Sequence, residues 1–335
     1  MKKKYKIRYG NLLLFLLVLA STILLVRLVF FRKEPAGEPV YNVVISTTEI
    51  KEYTPFTDIE TTAAASTQPV TEIPFIAEPS CNGAALYCVD DNQILYSYNI
   101  GEKAAPASLT KLLTAAVALE YLDDDDIIYT GSEQYMVQTG SSLCGLQYGS
   151  FSTAKNFIAG LLMSSGNDAA YALAAATARK AYPENEMSDD AAVKVFCGLM
   201  NQTAQKIGMT GSSFTTPDGW DDENQYVTVS DLLMLTEYVL KIPEIREIAA
   251  TQQKTVTFGS GEVYEWTNSN LLLDPDSEYY RADAIGVKTG TTLDAGNNLI
   301  SAFVINGRTY ISVVVGCETD TDRYDLTLKL IEAVF

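Results

Sequence analysis

The chain has 335 residues, 47% hydrophobic and 20% charged, the balance of an ordinary globular protein with room for a large core. Its 42 acidic residues outnumber 24 basic ones, and eight of the basic ones fall within the first 33, so the rest of the chain repels nucleic acid. It contains no histidine, which with cysteines lacking paired metal-ligand spacing sets aside zinc hydrolysis, Ser-His-Asp catalysis and any need for a metal or cofactor.

Lys2, Lys3, Lys4, Lys6 and Arg8 precede an apolar run from Leu12 to Phe31 that is broken only by Ser21, Thr22 and Arg27. That length spans a bilayer. The basic residues favour a cytoplasmic N-terminus, and Arg27 lies near enough to the far end to snorkel. Residues 1–33 therefore read as a single-pass signal anchor in the cell membrane, with the rest of the chain outside. The competing reading, a cleaved signal that releases a secreted protein, lacks a small-residue cleavage pattern before Arg32 and Lys33. Residues 34–80, rich in Thr, Glu, Pro and Ala, read as a disordered stalk.

Beyond the stalk, Ala84–Val89 and Ile94–Tyr98 flank the polar Asp90-Asp91-Asn92-Gln93 and predict a β-hairpin. Leu109–Tyr121 is apolar on most faces and predicts a buried helix. Further helices are predicted over Thr153–Met163, Ala169–Ala181, Ala191–Ile207 and Asp231–Leu240, the last capped by Ser230. Asn298–Val304 and Thr309–Val315 form strands joined through Asn306-Gly307, a strong turn signal, and a closing helix runs from Arg323 to Val334. Strands at both ends with helices between them imply one α+β domain over residues 81–335. The five cysteines, Cys81, Cys88, Cys144, Cys197 and Cys317, are taken as buried free thiols by default, a disulfide outside the membrane being possible with no pairing legible.

Three short motifs carry the chemistry. Ser108-Leu109-Thr110-Lys111 places a hydroxyl and an amine on one face at a helix start, and a lysine kept neutral by its surroundings activates such a serine. Ser165-Gly166-Asn167 falls in a break between two helices and presents two polar side chains. Lys288-Thr289-Gly290 ends a strand-like segment suited to binding a carboxylate at a sheet edge. Each is unremarkable alone. In this order they match the motif set of β-lactamases and penicillin-binding proteins, with Gly166 where that set has Asp.

From about Asn82 to Phe335 the sequence resembles the serine D-Ala-D-Ala carboxypeptidases. The likeness extends to Leu95-Tyr96-Ser97-Tyr98-Asn99, Lys103 and Pro106-Ala107 ahead of the first motif. It also takes in Ser141-Ser142-Leu143, Ser164–Ala170, Thr267–Leu272 and Gly286–Gly290. There are departures: Thr216-Pro217-Asp218-Gly219 stands where the family often carries a histidine, and Thr291 where an aromatic residue or histidine is frequent. The resemblance implies a β-lactamase/transpeptidase-like domain, an antiparallel sheet with a helical region. It implies Ser108 as nucleophile, Lys111 as base, Ser165 as proton relay and Asn167 as a substrate-amide ligand. Lys288 and Thr289, with Gly290, would bind the terminal carboxylate, and the backbone N–H groups of Ser108 and Thr291 would form the oxyanion hole. The implied substrate is a peptidoglycan stem peptide ending in D-Ala-D-Ala, with β-lactam antibiotics as covalent inhibitors. A serine β-lactamase shares the motifs, but no Glu-x-x-Leu-Asn segment follows Asn167 to activate the deacylating water. A catalytically inactive wall-binding or sensor protein is the non-enzyme alternative, against which every reacting side chain is present.

Overall fold

The structure is a computed structural model and describes residues 79–334. The expected anchor and nearly all of the expected stalk lie outside the described residues; among those described, no helix is long and apolar enough to cross a membrane.

The sheet is assembled from both ends of the domain. β1 (Gly83–Cys88) and β2 (Gln93–Tyr98) form the predicted first hairpin. β7 (Ala284–Thr292), β8 (Gly296–Ile305) and β9 (Arg308–Cys317) form a meander, and the antiparallel order is β2-β1-β9-β8-β7. Asn306 and Gly307 both adopt positive φ in the β8–β9 turn, the conformation an Asn-Gly hairpin requires. β7 is thereby left at an edge.

Period-two alternation explains why both faces are covered. Ala84, Leu86 and Cys88 of β1, with Tyr310 and Val314 of β9, point into one core, against Tyr324, Leu330 and Ile331 of the closing helix. Ala85 and Tyr87, with Ile311, Val313 and Val315, point into the other, where the helical region sits. That region comprises α1 (Thr110–Tyr121), α2 (Ala154–Met163), α3 (Asn167–Ala181), α4 (Asp189–Lys206), α5 (Val229–Leu240) and the short α6 (Pro243–Ala249). α1 is buried on nearly every side, Thr110 through Ala118 without interruption, as its all-round apolar sequence predicts.

Local chemistry moves several helix starts. Thr228, not Ser230, caps α5, its hydroxyl accepting from Asp231 N at 3.1 Å. The closing helix, α7, begins at Asp320, three residues earlier than predicted, because Thr319 and Asp322 form a reciprocal capping box. Two small hairpins escaped the sequence reading: β3 (Ile127–Tyr129) with β4 (Phe151–Thr153), and β5 (Gln253–Thr257) with β6 (Val263–Thr267). The default of free thiols holds for Cys88, Cys144 and Cys197, all buried, but Cys81 and Cys317 form a disulfide. β1 and β9 run side by side, so Gly83 opposite Val315 brings the two flanking cysteines together from 236 residues apart.

Candidate active site

Ser108 lies in a single 3-10 turn, Ala107–Leu109, that runs into α1. One helical turn later Lys111 is completely buried, and its Nζ donates to Ser108 Oγ at 2.8 Å and to the carbonyl of Asp218 at 2.6 Å. Burial lowers the Lys111 pKa to about 8, against the opposing charges of Asp218, Asp168 and Cys144. The ammonium is thus held only weakly.

Ser165 follows the end of α2 and takes a positive φ of 55°, which turns the chain before α3 starts at Asn167. Its hydroxyl accepts from Lys288 Nζ at 3.1 Å; that amine also donates to the carbonyl of Thr289 at 3.0 Å. Lys288 is buried on β7, and its pKa falls well below the ordinary lysine range through burial first and repulsion from Lys111 and Arg323 second. Loss of water is the largest cause at both amines, and their like charges disfavour holding both as ammonium ions at once. Thr289 Oγ1 lies 2.6 Å from Ser269 Oγ.

Two glycines let these pieces approach. A Cβ at Gly290 would stand 3.1 Å from Ser108 N, and one at Gly219 only 1.8 Å from the carbonyl oxygen of Ala107. Gly219 also needs its φ of 89°. β7 and the 217–220 turn can therefore close on the nucleophile from two sides. The resulting open cleft is lined by Ser108, Asn167, Thr291 and Thr292, by Gly140, Ser141 and Ser142, and by Asp218, Gly219 and Trp220. Ser108 of the first motif, Asn167 of the second and Thr291 after the third stand on its walls, with Lys111 one hydrogen bond behind Ser108 and Gly290 packed against Ser108 N, while Ser165, Lys288 and Thr289 are not among its lining residues. The arrangement suits an acyl transfer in which a serine hydroxyl attacks and a nearby amine takes its proton.

A sequence model of the D-alanyl-D-alanine carboxypeptidases matches residues 77–319. The chain belongs to that family. Its relatives include the D-alanyl-D-alanine carboxypeptidase DacC of Escherichia coli, 31% identical over 76% of this chain and 62% of that protein. Another is DacF of Bacillus subtilis, 27% identical over 73% of this chain and 60% of the relative. The chain thus spans less than two thirds of the length of these relatives. Among solved structures, the Streptomyces K15 DD-transpeptidase superposes with a TM-score of 0.71 at 26% identity, over 78% of this chain and 99% of that one. Penicillin-binding protein D2 of Listeria monocytogenes, in its ampicillin-bound form, gives 0.62 at 26% over the same shares. The fold is that of the transpeptidases.

Set within the D-alanyl-D-alanine carboxypeptidases, two of the three departures have a physical setting. Gly166 occupies the middle of the second motif because a Cβ there would stand 2.7 Å from Cys144 Sγ and 2.8 Å from Asp168 Oδ1. The Asp218 segment, lacking the frequent histidine, serves through its backbone carbonyl, which any residue supplies. Sequence reasoning assigned no role to two further residues. Asp168 is buried, and its carboxylate accepts from the backbone N–H groups of Cys144, Gly145 and Leu146, each at 2.9 Å, mooring the loop that carries Ser141 and Ser142. Arg323 donates from Nη1 to Thr291 Oγ1 at 3.2 Å and to Asn298 O at 3.1 Å, behind the end of β7. The Asp following Ser-Gly-Asn was legible; Arg323, at the start of a helix some thirty residues beyond the third motif, carried no signal.

Proposed function

We propose that the chain is a serine D-Ala-D-Ala carboxypeptidase that removes the terminal D-alanine from peptidoglycan stem peptides and is acylated by β-lactams. The observation that carries the reading is the 2.8 Å contact between Ser108 Oγ and a buried Lys111 whose pKa is lowered to about 8. Neutral Lys111 takes the hydroxyl proton as Ser108 Oγ attacks the carbonyl of the penultimate D-alanine. The negative charge that develops on that oxygen is received by the backbone N–H groups of Ser108 and Thr291; losing one such donor costs roughly 3 kcal/mol of barrier. The C–N bond then breaks, and the leaving amine takes a proton through Ser165. Ser165 accepts from Lys288 and so has its own O–H available to donate. Water attacks the acyl-enzyme and restores Ser108.

Asn167 holds the substrate amide from the wall of the cleft. Lys288 and Thr289, with Gly290 keeping the strand close to the nucleophile, receive the terminal carboxylate; its negative charge returns a proton to Lys288. Residues 1–33 anchor the enzyme in the cell membrane, residues 34–80 form the stalk, and residues 81–335 work outside the cell. The basic and apolar N-terminal sequence supports that placement. Incubating the protein with a soluble pentapeptide ending in D-Ala-D-Ala tests the activity. Release of free D-alanine, blocked by prior penicillin, is expected. Fast penicillin hydrolysis with no D-alanine release would mean a β-lactamase instead.

A further inference from the structure

The segment that supplies one wall of the cleft, Gly140–Ser142, also carries a surface of distinct chemistry. In a chain with 66 charged residues, none falls between Gln134 and Ala154. The same stretch exposes aromatic rings. Tyr135 is 73% exposed and Tyr148 67%, and their rings stack with planes 13° apart and centroids 6.4 Å apart. A second pair, Tyr129, 65% exposed, and Phe151, stacks at 5.3 Å and 29° across the β3–β4 hairpin. The pairs are neighbours, because Thr130 N donates to Ser150 O and Gly149 N donates to Thr130 O, each at 2.8 Å, continuing the hairpin ladder toward Tyr148.

Large rings left in water in a soluble domain mark a binding surface. A protein partner of opposite charge is poorly matched by a segment with no charge to pair, and so is an anionic polymer by the acidic body around it. Tyrosine rings offer flat apolar faces with hydroxyls at their edges, and the intervening Gln138, Thr139 and Gln147 add neutral donors and acceptors. That combination fits the alternating C–H faces and hydroxyl or acetamido edges of an N-acetylhexosamine chain. The segment that carries Tyr135 and Tyr148 also supplies Gly140–Ser142, one wall of the cleft, which follow Gln138 in a turn closed by Ser141 N to Gln138 O.

We propose that the Tyr135–Tyr148 pair, with Tyr129 and Phe151 beside it, is a binding platform for the glycan strand to which the cleaved stem peptide is attached. The proposal rests on the carboxypeptidase reading for its link to the cleft through that segment, and on its own rings for its chemistry. The platform makes polymeric peptidoglycan a better substrate than the same stem free in solution, because a second attachment is intramolecular once the first is made.

The test compares the full chain with Tyr135→Ser/Tyr148→Ser, whose altered side chains are exposed and leave the core untouched. Tetra-N-acetylchitotetraose, a neutral glycan without peptide, is titrated by saturation-transfer NMR. D-alanine release is measured on a soluble pentapeptide and on polymeric peptidoglycan with the same stem. The double variant should lose at least about tenfold in chitotetraose binding and in turnover of the polymer, with pentapeptide turnover within about twofold of the parent. Equal binding and equal polymer turnover in the two proteins would overturn the platform. A change confined to sedimentation behaviour would overturn it too, by assigning the rings to self-contact. Absence of pentapeptide turnover in the parent protein, with glycan binding intact and ring-dependent, would instead remove the carboxypeptidase reading and leave the platform standing.

Discussion

Replacing Asp218 by Asn should make the enzyme faster at low pH. Lys111 is a base with a pKa of about 8, against an ordinary value of 10.5. At pH 7 roughly a tenth of it is neutral, where an unshifted lysine would be neutral in about three molecules in ten thousand, so burial raises the reactive fraction on the order of 300-fold. Asp218 works against this, being first among the charges that favour the ammonium. Its contact with Lys111 Nζ is through the backbone carbonyl, so Asp218→Asn keeps the hydrogen bond and removes only the charge. Without a neighbouring anion the ammonium is less favourable, and the pKa falls; a drop of about one pH unit is modest for an opposite charge at close range. The neutral fraction at pH 7 would then rise to about one half, roughly a fivefold gain. Stopped-flow acylation by a chromogenic cephalosporin from pH 5.5 to 9.5 reads this directly. The parent should climb tenfold per pH unit and bend near 8, and the variant should bend lower with the same plateau. A bend that stays at 8 or moves upward would refute the assignment of Lys111 as the titrating base.

Reducing the Cys81–Cys317 bridge, or making Cys81→Ser/Cys317→Ser, should cost roughly 2–5 kcal/mol because it frees a closure between residues 236 apart; thermal melting with and without reductant should show a clear fall in Tm while D-alanine release at 25 °C persists. Gly166→Asp, which restores the residue of the common motif, should instead abolish most activity and lower Tm, since its Cβ meets Cys144 Sγ at 2.7 Å. Adding Cys144→Gly, which removes both the Sγ and the Cβ that a Cβ at residue 166 would meet, should recover part of both losses, and no recovery would place the conflict at Asp168 instead.

The sequence made the framework legible wherever one local rule dominated. The Asn306-Gly307 turn, the all-round apolar α1 and the terminal strands each followed from periodicity or turn chemistry, and the order of three motifs sufficed to group Ser108, Lys111, Ser165, Asn167 and Lys288. What escaped were features decided by contacts distant in sequence. No local pattern pairs Cys81 with Cys317; only the register of β1 on β9 does. The Asp218 carbonyl could not be read as the second partner of Lys111, because a backbone group leaves no trace in composition. The β3–β4 and β5–β6 hairpins were missed because strands of three to five residues give too little alternation to see.

The account stands on Ser108 and Lys111 acting as one nucleophile-base unit, and labelling with a fluorescent penicillin, with the acylated peptide located by mass spectrometry, tests this most directly. The label should sit on Ser108. Ser108→Ala and Lys111→Ala should each abolish labelling while circular dichroism stays nearly unchanged, and the double variant should lose little more, since parts of one unit are not additive. Labelling of another residue, or acylation of Lys111→Ala near the parent rate, would contradict the account.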